Sequence, residues 1–181
     1  MIIVDLSSSR GVSPAIGTIL MVAVVVVLAA TISVFALGFL NDLNQPAPMV
    51  AQSSGDLVYD RPGSNDQIVR LTHVAGDDLA VSELEIVVDA TDACGKESRI
   101  VSLPTNTLGS ANYNGDDIFA YYSPDGGQLD TSADGTWSAG GTATFRIASS
   151  ECEINEGDTI TIRVVHTPTN SVIIKETLTA T

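Results

Sequence analysis

The sequence predicts an α+β chain: a long N-terminal hydrophobic α-helix followed by an all-β head, an immunoglobulin-like sandwich. Three observations carry this reading. No charged residue lies between Gly11 and Asn41, and nearly every residue from Ile16 to Leu40 is apolar. The polar segment Asn41-Asp-Leu-Asn-Gln-Pro-Ala-Pro48 then breaks any straight continuation of a helix. Beyond it, apolar residues recur with period two in short runs bounded by Gly, Asp, Asn, Ser and Pro, as strands require.

The apolar run is long enough to span a bilayer, for which a helix needs about 20 residues, whereas the core of a secretory signal has about 7–15. Val24 to Val27 would favour a strand in water, but in lipid a lone strand leaves its backbone unpaired, so the run is helical. Ser13 suits the N-cap and Pro14 the first helical position, where the missing N–H costs nothing. Gly38, Asn41 and Asp42 mark the far end. The chain thus divides into a leader over 1–10, a helix over 11–41, a linker over 42–48 and a head over 49–181. The leader's Arg10 abuts the helix and the sequence after it is strongly acidic, which places the leader in the cytoplasm and the head outside.

In the head, strands are expected over Leu57–Asp60, Gln67–Val74, Glu83–Asp89, Arg99–Leu103, Ile118–Tyr122, Thr142–Ala148, Thr159–Thr167 and Ser171–Thr179. The last two are the clearest: Ile160, Ile162 and Val164 share one face, Thr159, Thr161 and Arg163 the other, and the turn Thr167-Pro-Thr-Asn170 leads into a returning strand. Eight short strands without a long amphipathic helix point to a sandwich. Two turn-rich loops, 106–117 and 123–135, separate them.

A net charge of −14 beside a mean hydropathy of +0.25 is explained by this division, since the charge belongs to the head and the apolar excess to the helix. Eight basic residues against 22 acidic ones, none of the basic ones adjacent to another, argue against nucleic acid and anionic lipid headgroups as partners. With 44% hydrophobic residues the chain can build a core, so disorder is a poor explanation.

The junction Arg10-Gly11-Val12-Ser13-Pro14-Ala15-Ile16-Gly17-Thr18-Ile19-Leu20-Met21-Val22-Ala23 resembles the start of archaeal type IV pilins. The resemblance covers roughly residues 10 to 40. It implies cleavage between Arg10 and Gly11 by a prepilin peptidase, so that the leader is removed before the helix. It also implies a membrane-inserted precursor, self-assembly into a homopolymeric filament, a pilus assembly ATPase and a membrane platform protein as partners, and a cell-surface fibre that adheres. The expected filament core comprises Pro14, Ile16, Gly17, Ile19, Leu20, Val24, Leu28, Ile32, Phe35, Gly38 and Phe39, with small residues such as Ala23, Ala29, Ala30 and Ser33 allowing close helix approach. Bacterial type IV pilins usually carry Glu at the fifth mature position, and here it is Ala15, so alignment falls to apolar packing. Two other readings stand beside this one. One is an archaellum subunit, which Val12 to Gly17 fits less well than the pilin group. The other is a permanently anchored surface binding protein.

Cys94 and Cys152, the two cysteines, are expected to form a disulfide in an external head. The alternative is two free thiols in an oxidising medium. A metal centre lacks further ligands at suitable spacing, and His73 and His166 read as strand residues. The acidic turns 112–117 and 125–134 could offer oxygens to Ca²⁺, but neither has EF-hand spacing and the simpler reading is solvated surface. Hydrolase elbows, zinc-protease pairs and phosphate loops are absent from the sequence, so neither catalysis nor a cofactor is expected. The scarcity of lysine beside so many carboxylates resembles proteins of extremely halophilic archaea. On that reading filaments would persist better in molar salt, where the Debye length falls to about 3 Å.

Overall fold

The computed structural model describes residues 13–42, 46–59, 66–124 and 126–181. Its internal packing divides the chain into two compact units, Met1–Pro46 and Ala47–Thr181. The first contains helix α1, Ser13–Asp42. The second is β-rich, with strands β1 (Val50–Val58), β2 (Asp66–Gly76), β3 (Leu79–Ala80), β4 (Leu84–Ala90), β5 (Lys96–Ile100), β6 (Tyr113–Gly115), β7 (Thr136–Trp137), β8 (Thr142–Ala148), β9 (Thr159–His166) and β10 (Ser171–Thr179). A single helical turn, α2 (Thr91–Cys94), joins β4 to β5.

The strands form two main antiparallel sheets, ordered β1-β2-β8 and β10-β9-β4-β5-β6, with β3 and β7 as a small separate ribbon. One face of each main sheet supplies the core. Val69, Leu71, Phe145 and Ile147 come from the first sheet, Ile86, Val88, Ile160, Ile162, Val164 and Ile174 from the second, and all belong to one buried cluster. The sheets touch at one edge, where Leu57 bridges Ala180, the Thr181 N–H donates to the Leu57 carbonyl at 3.0 Å, and Ser53 hydrogen-bonds Glu176.

Strict alternation makes β8 and β9 visible in sequence: inward and outward side chains alternate along both without a break. The bounds of β8 and β10 match the expectation, and β9 ends one residue sooner. Elsewhere pairing overrides local pattern. The first strand begins at Val50, well before Leu57, because β2 holds Gly55 opposite Leu71 and Ser53 opposite His73. The fifth ends at Ile100, before Leu103, and Ser102 follows with φ 58. Of the expected strand Ile118–Tyr122, the structure keeps an isolated bridge from Phe119 to Ile147. Strands β3, β6 and β7 have two or three residues each and carry too little pattern to be read locally.

The two turn-rich loops are pinned to the core rather than free. Leu103, Leu108, Ile118 and Leu129 are buried. The Thr105 N–H donates to the Leu129 carbonyl at 2.9 Å and that of Leu108 to the Tyr121 carbonyl at 2.8 Å. At the start of the head, Gly76 has φ +140, and a Cβ there would sit 2.3 Å from the Met49 carbonyl oxygen. That close approach lets the Asp77 N–H donate to the same oxygen at 2.9 Å, while the Asp77 carboxylate accepts from the Met49 N–H at 3.0 Å. Met49 is thereby clamped against the end of β2.

Cys94 and Cys152 are bonded to each other, 58 residues apart in sequence. The bond ties α2, beside the five-stranded sheet, to the turn after β8 of the three-stranded one. In the chain-entropy model a loop of that length is worth about 4 kcal/mol. Trp137 is the chain's one tryptophan and is buried, with its indole N–H donating to the Gly141 carbonyl at 3.0 Å. Its emission therefore reports head unfolding. In urea titrations of the detergent-dispersed chain, Cys94→Ala with Cys152→Ala should lower the stability read by Trp137 by about 4 kcal/mol; an unchanged midpoint would show that the bond staples nothing.

Candidate functional site

The described residues contain no group of three His, Cys, Asp or Glu that could hold a metal. The feature that demands a partner is α1. At 1.5 Å per residue, its stretch Ala15–Val34 is about 30 Å long, the thickness of a bilayer's hydrocarbon layer. Every one of those side chains is exposed in the isolated chain. Twelve are large and apolar, among them Ile19, Met21, Ile32 and Val34. At about 1.5–3 kcal/mol for burying each, leaving them in water costs on the order of 20 kcal/mol. That cost weighs strongly against leaving this surface in water.

The helix is also chemically closed. Thr18 and Thr31 donate their hydroxyls to the carbonyls of Ala15 and Leu28, each at 2.9 Å, and Ser33 donates to that of Ala29 at 2.8 Å. The polar groups inside the apolar run are thus satisfied by the helix itself, which is what lipid or a dry helix bundle requires. Beside the small Ala23 lies a notch of about 250 Å³ lined by Val24, Val27 and Leu28.

Of the expected core positions, Ile16, Gly17, Ile19, Leu20, Val24, Leu28 and Ile32 are exposed on this helix. At 3.6 residues per turn they spread over more than half its circumference, so they form no single seam. Pro14, Phe35, Gly38 and Phe39 fall within the helix, with side chains outside the described set, and Arg10 and Gly11 lie outside the described residues.

Residues 10–51 match the family model described as archaeal type IV pilin, N-terminal. This segment is similar to the N-terminal part of archaeal type IV pilins. An uncharacterized protein of Archaeoglobus fulgidus is 37% identical to this chain over 109 residues. The aligned part is 60% of this chain and 65% of that protein's length, so the likeness spans less than two thirds of the relative. The pilin family is one of structural subunits rather than enzymes.

Outside the matched segment, the two histidines and the acidic turns make contacts within the head. His73 on β2 and His166 on β9 stand in different sheets. The His73 Nε2–H donates to the Asp77 carbonyl at 2.8 Å, its ring stands edge-on to Trp137, and its Nδ1 is buried without a partner. His166 lies 2.8 Å from the Thr169 hydroxyl and 3.3 Å from Glu83 Oε2. The acidic turns spend carboxylates on backbone: Asp130 accepts from the N–H groups of Ser132 at 2.7 Å and Gly126 at 3.4 Å, Asp134 from that of Thr136 at 2.9 Å, and Asp116 from that of Glu97 at 3.0 Å.

Such bonds favour the ionised carboxylate. Those from Ser132 hold Asp130 below the ordinary aspartate range, and the hydroxyl and N–H of Thr91 do the same for Asp89, with Arg163 assisting. Tyr113 moves the other way, raised first by burial and then by the neighbouring Asp117. For both aspartates the folded pKa lies below the unfolded one, so their stabilisation is complete above the unfolded value near 4 and disappears as pH falls through the folded value. Melting of the detergent-dispersed chain should therefore shift to lower temperature below about pH 4, and Asp89→Asn with Asp130→Asn should flatten that acid limb. An unaltered limb would place the acid sensitivity elsewhere.

Proposed function

We propose that this chain is a structural subunit of an extracellular archaeal filament, a type IV pilus. The precursor is held in the cytoplasmic membrane by residues 15–40 with the head outside. A prepilin peptidase removes residues 1–10, and the chain starting at Gly11 is then drawn into a fibre by an assembly ATPase and its membrane platform. The single observation that carries this reading is the stretch Ala15–Val34 of α1: it is uncharged, apolar on all sides and internally satisfied, within a segment matching the pilin N-terminal family.

The physics supports storage and assembly with one surface. In lipid the helix costs nothing, and in a fibre surrounded by water the same side chains are buried against their copies at about 25 cal/mol per Å². Small residues, including Gly17, Ala23 and Ala30, let the helices approach, and Ala15 places no carboxylate in the bundle. Cell-surface adhesion is the role we assign to the fibre, with the head as its contact surface. The acidic head would favour such packing in strong salt, where repulsion between heads is screened.

Mass spectrometry of sheared surface fibres should find a peptide beginning at Gly11, and substituting Arg10 or Gly11 should leave an uncleaved precursor in the membrane and no fibres. An intact Met1 in a membrane fraction without fibres would replace this reading with a permanent anchor. A swimming defect with intact surface attachment on gene deletion would make the filament an archaellum.

A further inference from the structure

The outward face of the five-stranded sheet carries an arrangement that neither the helix nor the core explains. Along β9, Ile160, Ile162 and Val164 are buried, which turns Arg163 outward between Thr161 and Val165. Lys175 of β10 lies in register opposite Arg163, Arg163 opposite Val87 of β4, and Val87 opposite Arg99 of β5. Three cations thus share one row, in a head that has seven cations and twenty carboxylates after residue 46.

Two features of the row are unfavourable within the chain itself. Lys175 and Arg163 are direct cross-strand neighbours of like charge, a pairing that destabilises a sheet. Arg163 is held from its other side by Glu97 at 3.1 Å and Asp89 at 3.8 Å, and Arg99 by Glu85 at 2.9 Å, whereas Lys175 makes no ion pair among the described residues. The juxtaposition results from a bulge between Val172 and Ile174. Without it Lys175 would stand opposite Ile162 and share its inward face; with it Ile174 and Leu178 are buried and Lys175 is exposed.

We propose that this row receives a carboxylate-bearing surface from the head of a second copy of this chain. The inference rests on the filament reading above. Here the three cations balance Glu85, Asp89 and Glu97, while the rest of the head has four cations against seventeen carboxylates. A neighbouring copy therefore offers acid from nearly any other side, most densely in the turn 151–158, where Glu153 and Glu156 are exposed. A contact between the cation row of one copy and a different, acidic surface of the next is heterologous, so it propagates along an assembly rather than closing a pair. Close ion pairs withdrawn from water are screened less than the long-range repulsion between acidic heads, so strong salt suppresses the repulsion first.

The chain's two lysines give a direct test on the native protein. Sheared fibres and detergent-dispersed subunits are acylated with an amine-reactive ester, and the rate at each lysine is read by mass spectrometry. Lys175 should react at least about tenfold more slowly in fibres than in dispersed subunits. Equal rates overturn the proposal. Independently, Arg163→Glu with Lys175→Glu should leave a precursor that is inserted, cleaved and disulfide-bonded, while fibre yield falls about tenfold or more. Wild-type yield from that variant also overturns it. A wild-type chain that forms no fibres at all fails the filament reading instead, which separates the two failures.

Discussion

The strongest constraint on this molecule is a helix that cannot be left in water. Ala15 to Val34 present apolar side chains on every face, and their hydroxyl neighbours close their hydrogen bonds inside the same helix. Nothing directional is left over on that surface. It is satisfied by lipid and by copies of itself on equal terms, because dispersion and water exclusion do not distinguish the two. If the chain assembles as proposed, its specificity must come from elsewhere, and the β-rich head is the part with the means to supply it.

The head is stabilised independently of the helix. Its two sheets bury one continuous apolar cluster, and the bond between Cys94 and Cys152 ties their ends together on the side of α2 and the turn after β8. Long segments between strands are drawn into that cluster by Leu103, Leu108, Ile118 and Leu129. The carboxylates of Asp116, Asp130 and Asp134 hold backbone N–H groups of neighbouring turns and strands. Acid in those turns is thus partly structural, and the remainder lies on the surface as net charge.

What could be read in the sequence depended on how local its cause was. The helix was legible because lipid compatibility is a matter of composition over one run, and β8, β9 and β10 because alternation is a property of consecutive residues. The polar first half of β1 was not legible: Gln52, Ser53, Ser54 and Asp56 have no strand-like alternation of their own and are extended because β2 pairs with them. Ile118 to Tyr122 erred in the other direction, being apolar enough for a strand while Tyr121 and Tyr122 point into solvent. The cation row lay furthest from view. Lys175, Arg163 and Arg99 are dispersed in the sequence, and one bulge residue decides which side of the sheet Lys175 occupies.

On the proposed filament, these two surfaces divide the work of assembly by their physics. Apolar burial along α1 supplies magnitude without register, since a helix with no seam can slide and rotate against its neighbours at little cost. Charge on the head supplies little net affinity but penalises wrong juxtapositions by several kcal/mol, because most pairs of surfaces on this head set carboxylate against carboxylate. The sheet face bearing Lys175, Arg163 and Arg99 is the exception, and on the proposed filament it fixes the rotation of each subunit that the helix leaves open. A seamless helix and a lopsided head are therefore complementary solutions: weakening the first would dissolve the fibre, and neutralising the second would leave its subunits bundled without a defined order.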